Sequence, residues 1–315
     1  MQNNPEYLQE KESFNAYYET TVLPMLQKIE ARRKKYLLRF ILIGLFIIFW
    51  CISLMSDGAL LKENISGDVA GVVFCFSILA LCWPLLSYYK KSKESLLPVL
   101  AGYFGQFSYA CRAPLNETLL KQSKIMKKYD VLDTDDSFSG QYDGVGVNFA
   151  EYILRDLKYE KKDGVKRPVY IKKARGIIFI AQMNKNFSSQ TIVVKDKGWL
   201  NKFAHYKNLQ KAGLESSEFE KQFEVYTDNQ IEARYLLTVV MLNYMLEVKK
   251  TFPNVEFSFF DKNVFINIEL KKNLFEISSF FTSIINKKRI EKSFYELYLL
   301  FSIIKILRLD KKTLF

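Results

Sequence analysis

The sequence predicts an α+β protein, in which a two-helix transmembrane hairpin precedes a cytosolic domain of mainly antiparallel strands packed with helices. Three observations lead to this prediction. Two long and almost uncharged apolar runs lie near the N-terminus. From Tyr142 onwards, apolar residues recur at every second position, which is typical of strands. Between and after these strands they recur every three or four positions, which is typical of helices packed on a sheet.

Both apolar runs are long enough to cross a lipid bilayer. The first is 36–55, in which Arg39 is the only charged residue, and the second is 69–89, which has no charge. A helix of about 20 residues, rising about 1.5 Å per residue, spans the ~30 Å hydrocarbon layer. A cleaved signal peptide is not favoured, because a charged helical stretch precedes the first run and no small-residue cleavage site follows it.

The charges that flank the two runs predict the orientation of the hairpin. The short connecting loop, 56–68, is acidic, whereas both outer flanks are basic. Positively charged flanks stay in the cytoplasm, so we expect both termini there and the loop outside. A second interpretation of the flanking cations is a site for anionic lipid headgroups. These membrane-proximal residues are Arg32, Arg33, Lys34, Lys35, Lys90, Lys91 and Lys93.

The pattern divides the chain into four parts. In the first part, Pro24 interrupts an apolar stripe formed by Phe14, Tyr17, Val22, Leu26 and Ile29. The four predicted parts are a cytosolic N-terminal helical stalk (1–35), the transmembrane hairpin (36–89), membrane-proximal helices (90–130) and a cytosolic α+β domain (131–315).

Within the α+β domain, period-two alternation predicts two hairpins. The first turns at Asp163-Gly164, a hairpin-forming pair, and the second joins 255–260 to 263–270. Two further short strands are expected at 191–196 and 224–226. The domain is therefore expected to be built mainly from antiparallel strands.

Helical segments are predicted on both sides of these strands. Two of them, 90–110 and 115–130, are expected to be separated by a break at Pro114. The last, 288–309, is apolar around most of its circumference, but its uncharged centre is too short to cross a bilayer. We expect it to pack on the sheet or to lie on the membrane surface.

The composition offers little for catalysis. His205 is the only histidine, which excludes metal sites built from several imidazoles. Three of the four cysteines lie in the apolar runs, and Cys111 alone remains for the rest of the chain, so no disulfide is expected there. The acidic triplet Asp133, Asp135 and Asp136 lacks the glycine and the closing glutamate of a calcium loop, and it is predicted to be a solvated loop. We expect no metal and no cofactor, and a non-enzymatic role is favoured.

A basic cluster surrounds the first predicted hairpin turn, and three interpretations remain open. It is a solvated hairpin without a ligand, a contact for anionic lipid, or, with Tyr159 and Tyr170 stacking on bases, a surface for single-stranded nucleic acid. Its residues are Lys158, Lys161, Lys162, Lys166, Arg167, Lys172, Lys173 and Arg175.

A dense packet of charged and aromatic residues begins at Phe223 and is predicted to be a capped core helix. Either Thr227 with Gln230, or Asn229 with Glu232, has the spacing of a capping box. Arg234 is unfavourable so early in a helix, so we expect it to pair with Glu220, Glu224, Asp228 or Glu151. The alternative is a ligand site that contains Arg234 with Glu232 or Glu151. The predicted core stripe is Ile231, Tyr235, Val239, Leu242 and Met245 or Leu246.

Three blocks of the sequence carry a family resemblance: GVGVNFAEYILRD (144–156), ARGIIFIAQMNKNFSSQTIVVKD (174–196) and EFEKQFEVYTDNQIEARYLLTVVMLNYMLEV (218–248). They resemble a bacterial family of two-span membrane proteins, the domain-of-unknown-function family 3137. The chain differs from that family in its more charged hairpin tip and in Val239-Val240, where the family tends to carry a proline. The resemblance implies a two-pass protein of the bacterial inner membrane, and it implies no catalytic residue.

The leading functional hypothesis is a non-enzymatic binding or scaffold domain, anchored in the lipid bilayer, with a protein partner. The first alternative is a binder of, or an enzyme on, anionic ligands such as lipid headgroups, which uses the basic hairpin. Nucleic-acid binding is a third and less favoured hypothesis, and it predicts a steep salt dependence.

Overall fold

The computed structural model describes residues 5–55, 67–162, 165–196, 198, 206, 208–214 and 216–309. Most of the predicted loop 56–68, the turn pair Asp163-Gly164 and His205 lie outside the described residues. The chain forms two compact units. The helical unit comprises Gln2–Leu100 and Ile277–Glu291, and the sheet unit comprises Ala101–Glu276 and Lys292–Phe315.

The helical unit contains the N-terminal helices. The predicted apolar stripe is confirmed, because Phe14, Val22 and Leu26 are fully buried and Tyr17 donates its hydroxyl to the carbonyl of Val99 at 2.8 Å. Pro24, which has no N–H to donate, lies two residues after a π-helical turn, and such a turn accommodates a local break in the helical hydrogen bonding. The elements are α1 (Pro5–Tyr17), the π-helical turn (Tyr18–Val22), α2 (Leu23–Met55) and α3 (Gly67–Gly102).

Two helices of this unit are long and apolar enough to cross a membrane, as predicted. In the most apolar window of the N-terminal helix no residue is buried, and in that of α3 only 11% are. Phe49, Phe76 and Trp83 are each more than two-thirds exposed. Large apolar side chains in this arrangement suit lipid, whereas a soluble core helix would bury them.

The sheet unit confirms the predicted α+β class. Its described strands form one antiparallel sheet of order β1-β2-β3-β4-β6-β5, and β7 also pairs with β4. The strands are β1 (Phe107–Ala110), β2 (Val131–Tyr142), β3 (Val145–Lys162), β4 (Val165–Lys195), β5 (Gln210–Ala212), β6 (Phe223–Thr227) and β7 (Val255–Glu269). The helices are α4 (Glu117–Ser123), α5 (Ser217–Glu220), α6 (Gln230–Leu236), α7 (Val239–Thr251) and α8 (Lys287–Ile306), which begins in the helical unit.

The predicted second hairpin is wrong. Residues 255–269 form the single strand β7, which pairs with β4 on both sides of Asp261. Asp261 adopts a positive φ of 53°, and the ladder shifts register between Gln182 and Thr191 of β4. A residue in the left-handed region therefore bends the strand here and does not reverse it. For the same reason 191–196 is no separate strand, because β4 runs on through the bend to Lys195.

Two local predictions between the membrane helices and β3 also change. Residues 107–110, predicted to be helical, form β1, since α3 ends at Gly102. The acidic triplet is not a solvated loop. It lies within β2, and Asp136 is fully buried.

The C-terminal helix packs on the sheet, which was one of its two predicted positions. The ring of Phe301 lies 4.7 Å from that of Phe104, 5.1 Å from that of Tyr142 and 5.7 Å from that of Phe149. Leu297, like Phe301, is buried. The apolar circumference of α8 is therefore explained by core packing.

Candidate functional site

Three carboxylates meet at the centre of the sheet unit. Asp135 and Asp136 of β2 and Glu151 of β3 each place an oxygen within 4.8 Å of the other two. The ladder between β2 and β3 shifts register between Thr134 and Ser137. Such a bulge lets two successive residues oppose one residue of the partner strand, so both aspartates reach Glu151.

Each carboxylate of this cluster accepts a hydrogen bond from the protein. Tyr109 donates its hydroxyl to Asp136 at 2.5 Å, and the thiol of Cys111 lies 3.8 Å from Asp135. The backbone N–H of Leu274 donates to Glu151 at 2.6 Å. Burial and the neighbouring Asp136 raise the pKa of Tyr109 well above its usual value, so this hydroxyl remains a donor.

A second buried glutamate extends the same arrangement. Glu296 of α8 accepts a hydrogen bond from the N–H of Phe275 at 2.8 Å. The preceding amide, that of Leu274, donates to Glu151. Phe275 has a positive φ of 52° and is fully buried, and its ring lies 5.4 Å from that of Phe138. The two glutamates therefore fix the segment 274–275 in a strained conformation, which is a structural role.

The pocket beside Glu151 is small. Its volume is about 10 Å³, which is room for about one water molecule. Arg175 and Lys272 line it, whereas Arg234 does not. The predicted site that joins Arg234 to Glu151 is therefore not formed. The lining residues are Asp135, Glu151, Tyr152, Ile153, Arg175, Gly176, Lys272 and Asn273.

Arg234 and Glu232 point to different surroundings on α6. Arg234 is exposed and forms no ion pair with a carboxylate of the described residues, so its predicted pairing is wrong. Glu232 accepts hydrogen bonds from the N–H and hydroxyl of Ser188 and from the hydroxyl of Ser189. Burial alone raises the pKa of Glu232, but these hydrogen bonds outweigh it and hold the pKa below its ordinary value.

The predicted core stripe of this helix is confirmed only in its second part: Leu242 and Met245 are buried, whereas the earlier members of the stripe are exposed. Asn229 caps α6, but the helix ends at Leu236, and a second helix starts after Thr238, which caps α7 through the N–H of Met241. The break turns the first part of the stripe, before Leu242, towards solvent. Four large side chains are consequently more than half exposed: Ile231, Tyr235, Val239 and Val240.

The β3–β4 hairpin is the most prominent feature of the predicted basic cluster. β3 pairs with β2 only as far as Arg155, and β4 pairs with β7 only from Gly176 onwards. Beyond these points β3 and β4 pair only with each other among the described strands, up to Lys162 opposite Val165. We call residues 157–162 and 165–172 the ribbon. Side chains on both faces of the ribbon meet solvent, since Tyr159 and Lys166 on one face and Glu160 and Arg167 on the other are exposed.

The ribbon carries most of the predicted cations. Lys161, Lys166, Arg167 and Lys172 are exposed, and Lys173 at its base pairs with Asp156 at 3.0 Å. Lys162 belongs to the ribbon backbone. Arg175, which was predicted to belong to the cluster, instead lines the Glu151 pocket. The structure therefore brings the lysines together, and it separates them from Glu151, Glu232 and Arg234.

The membrane-proximal cations have two different roles. Arg33 is buried and forms two hydrogen bonds with Glu30, which was not predicted, so it is no free headgroup contact. Lys34 and Lys35 are exposed. Lys93 is half-buried. Arg32 lies 3.4 Å from the Ser95 hydroxyl, and Lys91 lies 3.2 Å from the Tyr36 hydroxyl. Lys90 forms an ion pair with Glu94 at 3.8 Å.

Sequence reasoning did not find Tyr109, Asp136 or Glu296 as parts of a polar core. Alternation along β2 gives no sign of the bulge that turns Asp136 inwards. Glu296 offered a signal, because it is a carboxylate that lies directly between apolar residues, after Phe294 and Tyr295 and before Leu297.

Comparison with known proteins gives a family-model match to part of the chain and a weak likeness to a solved structure. The crystal structure of the mycobacterial trehalose monomycolate transport factor A, TtfA, is 10% identical, and the alignment covers 64% of this chain and 88% of that chain with a TM-score of 0.33. That likeness is too low to support an argument. The curated proteins include no match. Residues 173–309 match the model of a family described as protein of unknown function (DUF3137), so the resemblance to domain-of-unknown-function family 3137 is confirmed over these residues.

Proposed function

We propose that this protein is a membrane-anchored, non-enzymatic binding protein and that the ribbon is its contact element for an anionic ligand. The observation that carries the proposal is the projection of a two-stranded, lysine-rich ribbon beyond the strands that flank it. A ribbon with two solvated faces adds nothing to the core of the sheet. Clustered cations on such an element raise the local concentration of anionic partners and steer their approach.

The anchor is the pair of long apolar helices. We propose that they cross the bacterial inner membrane with both termini in the cytoplasm. Exposed cations, Lys34 and Lys35 before the first span and Lys90 and Lys91 after the second, support this orientation. The sheet unit then works in the cytosol as a binding or scaffold domain.

Binding is favoured over catalysis because of what surrounds the buried carboxylates. The described pocket has room for about one water. Glu151 is already engaged by the Leu274 amide, and Glu296 by that of Phe275. The exposed ribbon lysines, in contrast, are available to a large partner, such as an acidic segment of a protein or a layer of lipid headgroups.

A shortened ribbon tests the proposal. Leu157 faces Tyr170 across the ladder, so residues 158–169 can be replaced by Asn-Gly, which closes a two-residue hairpin turn. The full chain, in phosphatidylcholine nanodiscs, is titrated with a polyglutamate peptide. We expect the intact chain to bind it with a strong salt dependence and the shortened chain to lose this binding. Equal binding by both chains would overturn the proposal.

A further inference from the structure

The two faces of the ribbon differ in charge. Directly opposed residues of an antiparallel pair share a face, and residues two apart along a strand do as well. One face, which we call the tyrosine face, has three lysines and no carboxylate. Its residues are Leu157, Tyr159, Lys161, Lys166, Pro168, Tyr170 and Lys172. The other, the mixed face, carries charges of both signs and includes Lys158, Glu160, Val165, Arg167, Val169 and Ile171.

The cross-strand pairs show that the tyrosine face suits an anion. Lys161 lies directly opposite Lys166, whereas on the mixed face Glu160 lies opposite Arg167. Like charges in direct opposition destabilise a strand pair, and opposite charges stabilise it. A phosphate between the two lysines would remove that repulsion, so the free ribbon is arranged for a bound anion at its tip.

The aromatic residues of the same face favour a particular kind of anion. Tyr159 is 65% exposed and Tyr170 is 54% exposed, and Leu157 and Pro168 lie between them on the same face. Tyrosine places its apolar ring and its hydroxyl well at the level of lipid headgroups, where one end is apolar and the other is wet. An acidic peptide would satisfy the lysines and leave this apolar strip in water.

We infer that the tyrosine face binds the surface of an anionic phospholipid bilayer, with its lysines at the headgroup phosphates and its tyrosines at the headgroup level. This inference rests on the proposed function, in which the ribbon is the binding element. An anchor in the membrane keeps the domain at a high effective concentration of lipid, so a weak contact is sufficient.

The test compares two matched variants that each remove two cations. The Lys161→Gln/Lys166→Gln variant changes the tyrosine face, and the Lys158→Gln/Arg167→Gln variant changes the mixed face. Each full chain is placed in phosphatidylcholine nanodiscs, and its co-flotation is measured with vesicles of phosphatidylcholine, with or without phosphatidylglycerol. We expect the tyrosine-face variant to bind the anionic vesicles about 30-fold more weakly. The mixed-face variant should lose less than about threefold, because its cations lie on the far side of the ribbon.

A third variant, Tyr159→Ser/Tyr170→Ser, separates lipid from other anions. It should weaken vesicle binding and leave polyglutamate binding unchanged, because it keeps every lysine. Circular dichroism of each variant confirms that the sheet is retained. Equal losses in the two cation variants, or no loss in either, would overturn the inference.

Two other outcomes distinguish this inference from the proposed function. If the intact chain binds polyglutamate through the ribbon but does not bind anionic vesicles, the lipid inference fails and the proposed function stands. If the wild-type chain binds neither polyglutamate nor anionic vesicles, both the proposed function and the lipid inference fail. Tighter binding to an oligothymidylate than to anionic vesicles, abolished by the tyrosine substitutions, would replace lipid with single-stranded nucleic acid.

Discussion

Arg33 binds Glu30 through two hydrogen bonds, of 2.7 and 3.0 Å, inside the helical unit. Both side chains also hold the backbone of segment 277–291: Arg33 donates to the carbonyl of Phe280 at 2.9 Å, and Glu30 accepts the N–H of Ile284 at 3.1 Å. The pair thus ties α2 to a segment about 250 residues further along the chain. Arg33, which the sequence suggests is a headgroup contact at the membrane surface, is therefore part of the buried core.

Removal of one partner of this pair should destabilise the helical unit strongly. In Arg33→Ala, Glu30 is left as a buried charge without its cation, and the expected loss is about 3–5 kcal/mol. The measurement is thermal unfolding of the full chain in detergent micelles. Lys34→Ala, at the next and exposed position, is the control and should stay within about 0.5 kcal/mol. Similar effects of the two substitutions would contradict the structural role of Arg33.

The same pair predicts a dependence of stability on pH. The hydrogen bond from Arg33 lowers the pKa of Glu30 below its ordinary value of 4.5, against the effect of burial. The stabilisation is therefore present above the unfolded-state pKa and is lost as the pH falls through the folded-state pKa. Melting temperatures measured between neutral and acidic pH should fall more steeply for the wild type than for Glu30→Gln. Parallel curves would show that Glu30 does not contribute.

Glu151 should prove structural. Glu151→Ala leaves the buried N–H of Leu274 without its acceptor, which we expect to destabilise the sheet unit by about 2–3 kcal/mol. Glu276→Ala, at an exposed position in the same segment, should have little effect. Urea unfolding of both variants measures the difference. A Glu151→Ala protein as stable as the wild type would contradict the structural role of Glu151.

The proposed orientation can be measured by cysteine labelling in intact cells. Asn64→Cys, in the predicted external loop, should react with a membrane-impermeant maleimide, and Lys161→Cys on the ribbon should react only after the membrane is permeabilised. The parent protein reports the background from its own cysteines. Labelling of Lys161→Cys in intact cells would place the sheet unit outside and reverse the orientation.

Much of the fold follows from local sequence, and the failures share a physical cause. The apolar runs predict the long helices because lipid imposes a minimum length, and Asp163-Gly164 predicts the ribbon because its strands need a tight turn. The bend at Asp261 looks like a reversal, since a positive φ serves either geometry. Only pairing with β4, which is distant in sequence, decides between them.

The candidate site, too, could be predicted only where local sequence was sufficient. Cation clustering predicts the ribbon lysines, but only the register of β3 against β4 shows that Lys161 and Lys166 share a face with Tyr159. Periodicity assigned Ile231 to a buried stripe because it assumed one continuous helix. The break before Thr238 turns the first part of that stripe into solvent and leaves Leu242 and Met245 buried, and no periodic pattern contains this information.

In the proposed function, the ribbon is where this protein binds its anionic ligand. Hydrogen exchange of the full chain in phosphatidylcholine nanodiscs, with and without polyglutamate, locates the binding surface without any substitution. We expect exchange to slow in peptides covering 156–172 and to stay unchanged around Glu151 and Arg234. Slower exchange at the Glu151 pocket or on α6, with the ribbon unaffected, would contradict it.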